Sequence, residues 1–216
     1  MASYSIKKVQ PADAKAAYAF HQRISHDDPY VWQRTEQELE AQIAKGYVYC
    51  ALDAQTGSMV GLCYTVFDAH ALAWEIGGMT IDSTVQRIGL ATALGVFAMA
   101  HLIVYQDPWN NNQRVLAHVH KDNPKPRALL EKAGFVKTRS VTIPDAYAPP
   151  KMRREKNGEV HGDEFEISPG GLLKLSSWFD DISRNNFKPV AATVTFLVEG
   201  ETVDQMAEKL RKLAGG

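Results

Sequence analysis

A chain of 216 residues is enough for one ordinary domain with an extension, or for two small ones. Apolar residues make up 45% and charged residues 23%, a soluble globular balance, and a net charge of −1 argues against a general nucleic-acid footprint. The opening MASYSIKKVQPADAK lacks the apolar core of a secretory signal, so the expected location is cytoplasmic.

In chain order, YSIKKV reads as a first strand, and residues 11–24 as a helix with Pro11 near its start. The loop SHDDPYVWQ follows. TEQELEAQIAKG is a second helix, capped by Thr35 and ended by Gly46. YVYCALDA and MVGLCYTVFDA are strands joined by the turn QTGS. Cys50 and Cys63 fall on these neighbouring strands and read as buried free thiols of a reducing compartment. LAWEIGGMTID is a fourth strand, weakened or bulged at Gly77-Gly78.

Residues 88–105, IGLATALGVFAMAHLIVY, carry no formal charge and are about long enough to span a bilayer. Strand patterns on both sides favour another reading: a crossover helix buried between a sheet and other helices, with no membrane. RVLAHVH is then a strand, NPKPRALLEKAG a helix stopped by Gly134, and FVKTRSVTI a strand. Residues 144–162 read as a long Pro-rich, then basic, loop, and DEFEIS as a last edge strand. The order β-α-α-β-β-β-α-β-α-β predicts an α/β fold with a mixed sheet. Residues 169–216 carry two more amphipathic helix patterns around the strand-like VAATVTFLV, with Thr202 and Gln205 forming a capping box. This tail is too small for a core of its own and is expected to pack on residues 1–168 or on a second subunit.

The stretch STVQRIGLATALG, residues 83–95, places Gly89 where a strong helix former belongs, at a cost of about 1 kcal/mol relative to Ala. A helix N-terminus exposes unpaired amides and partial positive charge, a natural seat for phosphate. Gly89 and Ala91 let an anion approach, Thr92 adds a hydroxyl and Arg87 a charge. The alternative is that Gly89 and Ala91 serve only close packing of helix on sheet. Neither a Walker loop nor a Rossmann glycine pattern is present.

Gln86-x-x-Gly89-x-Ala91, following a strand that ends MTID, resembles the Gln/Arg-x-x-Gly-x-Gly/Ala signature of the GCN5-related N-acetyltransferases (GNAT). NPKPRALLEKAGF, from Asn123 to Phe135, resembles that family's later motif, and the resemblance spans about residues 4–168. It implies a mostly antiparallel mixed sheet with splayed central strands, and acetyl-CoA or another acyl-CoA as cofactor. The pyrophosphate would lie on the amides of Arg87, Ile88, Gly89, Leu90, Ala91 and Thr92, just after Gln86. Backbone groups of Met79 and Ile81 would pair with the pantetheine, a fourth-strand amide would face the thioester oxygen, and Asn123 would contact the thiol end.

Acyl transfer to an amine needs a base, since a lysine-like amine has a pKa near about 10.4. Glu75, between Trp74 and Ile76, is the first candidate; partial burial would help such a carboxylate take a proton, through water if need be, and the alternative is a Glu on a solvated edge or paired with a basic neighbour. His118 and His120 alternate on the fifth strand and share a face. His120, nearer the strand exit, is the second catalytic candidate, and His118 reads as structural, as does His101. A metal site is not expected. Asp27, Asp28, Tyr30 and Trp32 border the cleft where the family binds its acceptor; they read either as cation-recognising and apolar contacts or as turn and packing residues. The sequence departs from the family at Leu130, where many members carry a tyrosine that protonates the leaving thiolate. Tyr147 is a weak substitute. The expected function is therefore acetyl transfer from acetyl-CoA to a primary amine of a small molecule or peptide. The alternative is a catalytically weak acyl-CoA-binding module. The expected partners are that amine and, through the tail, a second copy in a homodimer.

Overall fold

The computed structural model of the chain describes residues 2–26, 28–145, 152–156 and 158–215. β1 (Ser3–Lys8) leads through a 3-10 turn at Pro11–Asp13 into α1 (Ala14–Ser25), so the proline-started helix begins as a tighter coil. α2 (Glu36–Ala44) is opened by a full capping box, with Thr35 accepting from the Glu38 amide and Glu38 accepting from the Thr35 amide. β2 (Val48–Asp53), β3 (Met59–Asp68) and β4 (Ala73–Ile81) form an antiparallel meander. The crossover helix α3 (Leu90–Gln106) leads to β5 (Arg114–His120), α4 (Pro124–Ala133), β6 (Phe135–Ile143) and β7 (Val160–Ile167). The chain ends in α5 (Pro169–Ser183), β8 (Thr193–Leu197) and α6 (Val203–Leu213).

All eight strands form one mixed sheet in the order β6-β7-β5-β4-β3-β2-β1-β8. The expected edge strand DEFEIS is interior: β7 lies between β5 and β6, and β6 is the edge. Strands β2 to β4 pack one face against α1 and α2 through Phe20, Leu39, Ile43, Leu62 and Tyr64. The other face packs on α3, whose Leu94, Phe97, Ala98, Leu102 and Ile103 are buried, which explains a helix apolar on nearly every side. No helix among the described residues is long and apolar enough to cross a membrane. Cys50 and Cys63 are free and buried in the two separate cores, since they occupy opposite faces of the sheet.

The segment after residue 168 joins this architecture. β8 pairs in parallel with β1, Tyr4 opposite Val194 and Ile6 opposite Phe196. Leu175, Phe179 and Ile182 of α5, and Met206 and Leu210 of α6, bury into the same core as α3.

Two local features open the middle of the sheet. β4 and β5 are parallel but pair over three positions only, ending at Glu75 opposite Leu116. Beyond Glu75 the β5-facing edge of β4 has no strand partner. The register between β3 and β4 also slips between Leu62 and Tyr64, opposite Gly77 to Thr80. Gly78 has φ +59°, and a Cβ there would stand 2.0 Å from the Tyr64 ring, so only glycine fits. The bulge falls on the stretch of β4 that has left β5, and a bulge bends the strand that carries it.

Candidate active site

The site is built where β4 and β5 part. Because Glu75 lies opposite Leu116, the side chain two residues further along β5, His118, falls on the same face as Glu75. His118 Nδ1 is 3.2 Å from Glu75 Oε2. Glu164 of β7 is the direct cross-strand neighbour of His118, and its Oε2 lies 3.4 Å from His118 Nε2. The imidazole is thus held between two carboxylates of different character. The Glu75 side chain is 43% exposed and that of Glu164 only 1%.

Burial alone would raise the Glu164 carboxyl, but hydrogen bonds from Arg139 (2.8 Å), Thr138 (2.8 Å) and Arg114 (3.1 Å) outweigh it and hold the group down at about 2. His118 moves the other way. Its hydrogen bond to Glu75 raises it above the ordinary imidazole range, against the effect of burial, and the charges of Glu75 and Glu164 add to the rise.

A second group stands on the same side of the sheet. The Tyr64 ring lies over the bulge, and Arg34, just before α2, donates from Nε to its hydroxyl at 3.2 Å. The Arg34 amide donates to Nε2 of the buried His21 at 3.1 Å. Tyr64 is raised by burial first, although the neighbouring Arg34 favours its ionised form.

His120 is the last residue of β5, at the strand exit, as its sequence context suggested. Its Nδ1 accepts from the Asp122 amide at 3.1 Å, so Nε2 carries the proton and donates to the Arg153 carbonyl at 3.0 Å. Its ring packs on Tyr30 with centroids 5.0 Å apart. Both ring nitrogens are engaged by the backbone, and the histidine aimed at Glu75 is His118. Glu75 itself sits in contact with solvent and an imidazole, not in the apolar surroundings that its neighbours Trp74 and Ile76 suggest. His101 is a half-buried residue of α3, bonded to the Tyr49 hydroxyl at 3.2 Å and pushed down to about 4 by burial.

The acceptor-loop residues are structured. Asp28 accepts the Tyr30 amide at 2.9 Å, closing a turn, and the Tyr30 hydroxyl accepts from Arg153 Nη1 at 3.0 Å. Trp32 is half-buried, with the Arg34 guanidinium 5.9 Å from its ring centre. Arg153 also donates its amide to the Pro29 carbonyl at 2.9 Å and pairs with Asp122 at 3.2 Å. Asp27 and Tyr147 lie outside the described residues.

The expected phosphate seat begins later than the apolar pattern suggests. A 3-10 turn covers Ser83–Val85, and α3 starts only at Leu90. Gly89, its N-cap, has φ +80°, and Arg87 is also left-handed at φ +66°. The first helical bond runs from the Ala93 amide to Gly89 O at 3.1 Å, leaving the amides of Leu90, Ala91 and Thr92 without helical partners. Gln86 and Arg87 are exposed and Ile88 is half-buried, while Met79 and Ile81 lie on the unpaired part of β4. Asn123 caps the start of α4 by its backbone, with its amide bonded to His120 O at 2.9 Å. Leu130, half-buried against the main core, offers no proton donor. What approaches Gly89 closely is not the sheet. A Cβ at Gly89 would lie 2.3 Å from Pro189 O and 2.9 Å from Val190 Cα, both in the tail.

A mixed sheet opened between two parallel strands, with a capped helix start beside the opening, is the layout of an α/β acyltransferase. Similar folds occur in the ribosomal-protein-S18-alanine N-acetyltransferase from Escherichia coli, at 20% identity over 76% of this chain and 92% of that one, with a TM-score of 0.52. A spermidine N-acetyltransferase SpeG chimera from Vibrio cholerae and hSSAT is 17% identical over 80% and 98% of the two chains, TM-score 0.54. The NatC complex bound to Gag peptide and CoA contains a chain 14% identical over 76% and 98%, TM-score 0.57. No curated protein sequence matches. The family model described as Acetyltransferase (GNAT) domain matches residues 5–136, and the chain belongs to this family of acyltransferases.

Proposed function

We propose that the protein transfers an acetyl group from acetyl-CoA directly to a primary amine of a small molecule or a peptide. The observation that carries this reading is the Glu75–His118 pair, 3.2 Å apart on the face beside the parting strands. The donor set at the opening fits the cofactor: the Leu90, Ala91 and Thr92 amides for a pyrophosphate, Arg87 at the rim, and the unpaired edge of β4 at Met79 and Ile81 for an extended amide chain. Gln86, Ile88 and Gly89 shape the loop, and Asn123 stands at the exit of β5.

Acetyl-CoA supplies the acyl group already activated as a thioester. Glu75, open to solvent, receives the proton of the incoming ammonium. His118 holds that carboxylate in place and passes the proton on when neutral, and the buried Glu164 fixes the far side of the ring. A β4 amide beyond Glu75 stabilises the developing oxyanion. The thiolate leaves without help from Leu130. Asp28, Tyr30 and Trp32 line the acceptor side, where the bridge from Tyr30 and Pro29 to Arg153 narrows the approach. The neighbours acetylate, by their names, a ribosomal-protein alanine and spermidine, which is why the acceptor is stated as an amine class.

The test has two parts. Acetyl-CoA at 100 times its dissociation constant is expected to stabilise the fold by about 2.7 kcal/mol in a thermal melt. With an amine panel, CoA release is expected, and both Glu75→Gln and His118→Gln are expected to lower kcat by about 100-fold while cofactor affinity holds. Because His118 is raised, kcat/KM of the native enzyme is expected to climb with pH through a value above the ordinary imidazole pKa, and His118→Gln to flatten that climb. Binding without CoA release from any amine would favour the binding-module alternative, for which Leu130 speaks.

A further inference from the structure

The tail meets the cofactor loop at one defined place. The Ala191 amide donates to the Ile88 carbonyl at 2.9 Å. Pro189 O and Val190 Cα occupy the space that a side chain at Gly89 would need. The tail segment that makes this contact is held independently. The Val190 amide donates to Phe187 O at 2.9 Å, Asn185 Oδ1 accepts from the Val194 amide at 2.7 Å, and the Phe187 ring packs on Trp178 of α5 at 5.0 Å. β8 then anchors it to the sheet beside β1.

In a trans peptide the carbonyl and the following N–H point in opposite directions. Ile88 C=O and Gly89 N–H belong to one peptide unit. With its carbonyl tied to Ala191, the unit must turn the Gly89 amide away from the tail. The same loop holds Arg87 in a left-handed conformation that an ordinary side chain adopts only at a cost, so something outside the loop must hold it.

We infer that the Phe187–Ala191 segment is a clamp on the cofactor loop: by binding Ile88 C=O it fixes the 88–89 peptide and presents the Gly89 amide, beside those of Leu90 to Thr92, to the cofactor's pyrophosphate. Ala191 and Pro189 are thus positioning residues for cofactor binding although they lie outside the acetyltransferase motif region. This rests on the proposed acetyl-CoA seat. It follows that the coupling is mutual, and that cofactor and tail steady each other.

The test uses the full chain. Ala191→Pro removes the single donated N–H at an exposed position. Isothermal titration with acetyl-CoA is expected to show its Kd raised about tenfold, equal to about 1.4 kcal/mol, with the circular dichroism spectrum unchanged. In the native protein, acetyl-CoA is expected to slow hydrogen exchange at the Ala191 amide. Native protein that binds acetyl-CoA, together with a variant that binds equally well or more tightly, overturns the clamp alone. So does an Ala191 amide whose exchange ignores the cofactor, a result that stands even if the variant misfolds. Native protein that does not bind acetyl-CoA overturns both the seat and the clamp.

Discussion

At the scale of single residues, the site depends on Glu164, which never touches solvent and is not a candidate base. It anchors His118 and Arg114 of β5 on one side and Arg139 of β6 on the other, across three adjacent strands. Its carboxyl is held at about 2 against an ordinary 4.5, a difference worth on the order of 3 kcal/mol of stability as an upper figure. The folded value is depressed, so this contribution is complete above about 4.5 and is lost as pH falls through about 2. Glu164→Gln is expected to cost about 2–3 kcal/mol at neutral pH in urea unfolding. It is also expected to flatten the acid dependence across that window. His118 illustrates a limit of sequence reading. The alternation of His118 and His120 showed that they share a face, but not which one meets a carboxylate. That depends on Glu75 lying opposite Leu116, a register between strands forty residues apart in sequence.

At the scale of elements, β4 decides the shape of the site. Its glycine pair was legible as a bulge, because glycine weakens a strand and little else explains two in a row. What occupies the space at Gly78 was not legible: the Tyr64 ring comes from another strand and brings Arg34 with it. Gly78→Ala is expected to cost about 2–3 kcal/mol in urea unfolding, from the left-handed backbone and the clash together. It is also expected to weaken acceptor binding, seen as a higher KM, because Tyr64 and Arg34 must shift. The start of α3 shows the same division. The glycine signalled a special backbone, and Gly89 does have φ +80°, yet the group pressed against it comes from a tail a hundred residues later. Substitution at Gly89 therefore strains the fold as well as the loop, and Ala191→Pro is the cleaner probe.

At the scale of the whole molecule, the tail is part of the sheet and of the main core. Truncation after Ser168 would strip β1 of its parallel partner β8, and α3 of its cover from α5 and α6, exposing the side of α3 that Leu175, Phe179, Met206 and Leu210 now protect. Each such side chain is worth about 1.5–3 kcal/mol when buried. The four together come to about 6–12 kcal/mol, comparable with the whole 5–15 kcal/mol of a typical domain. The truncated chain is expected to lack a cooperative thermal transition and to bind a hydrophobic dye.

By itself the sequence determined the element order, the helix caps, the acetyltransferase family and the special backbone at Gly89. These are local properties, set by spacing, propensity and backbone freedom within a few residues. Only the tertiary structure decided that β7 is interior, that His118 and not His120 faces Glu75, that Glu164 backs His118 and Arg34 meets Tyr64, and that the Ala191 amide bonds the Ile88 carbonyl. Each of these depends on strand register or on contacts between segments far apart in the chain, and a one-residue change of register would turn every side chain involved to the other face.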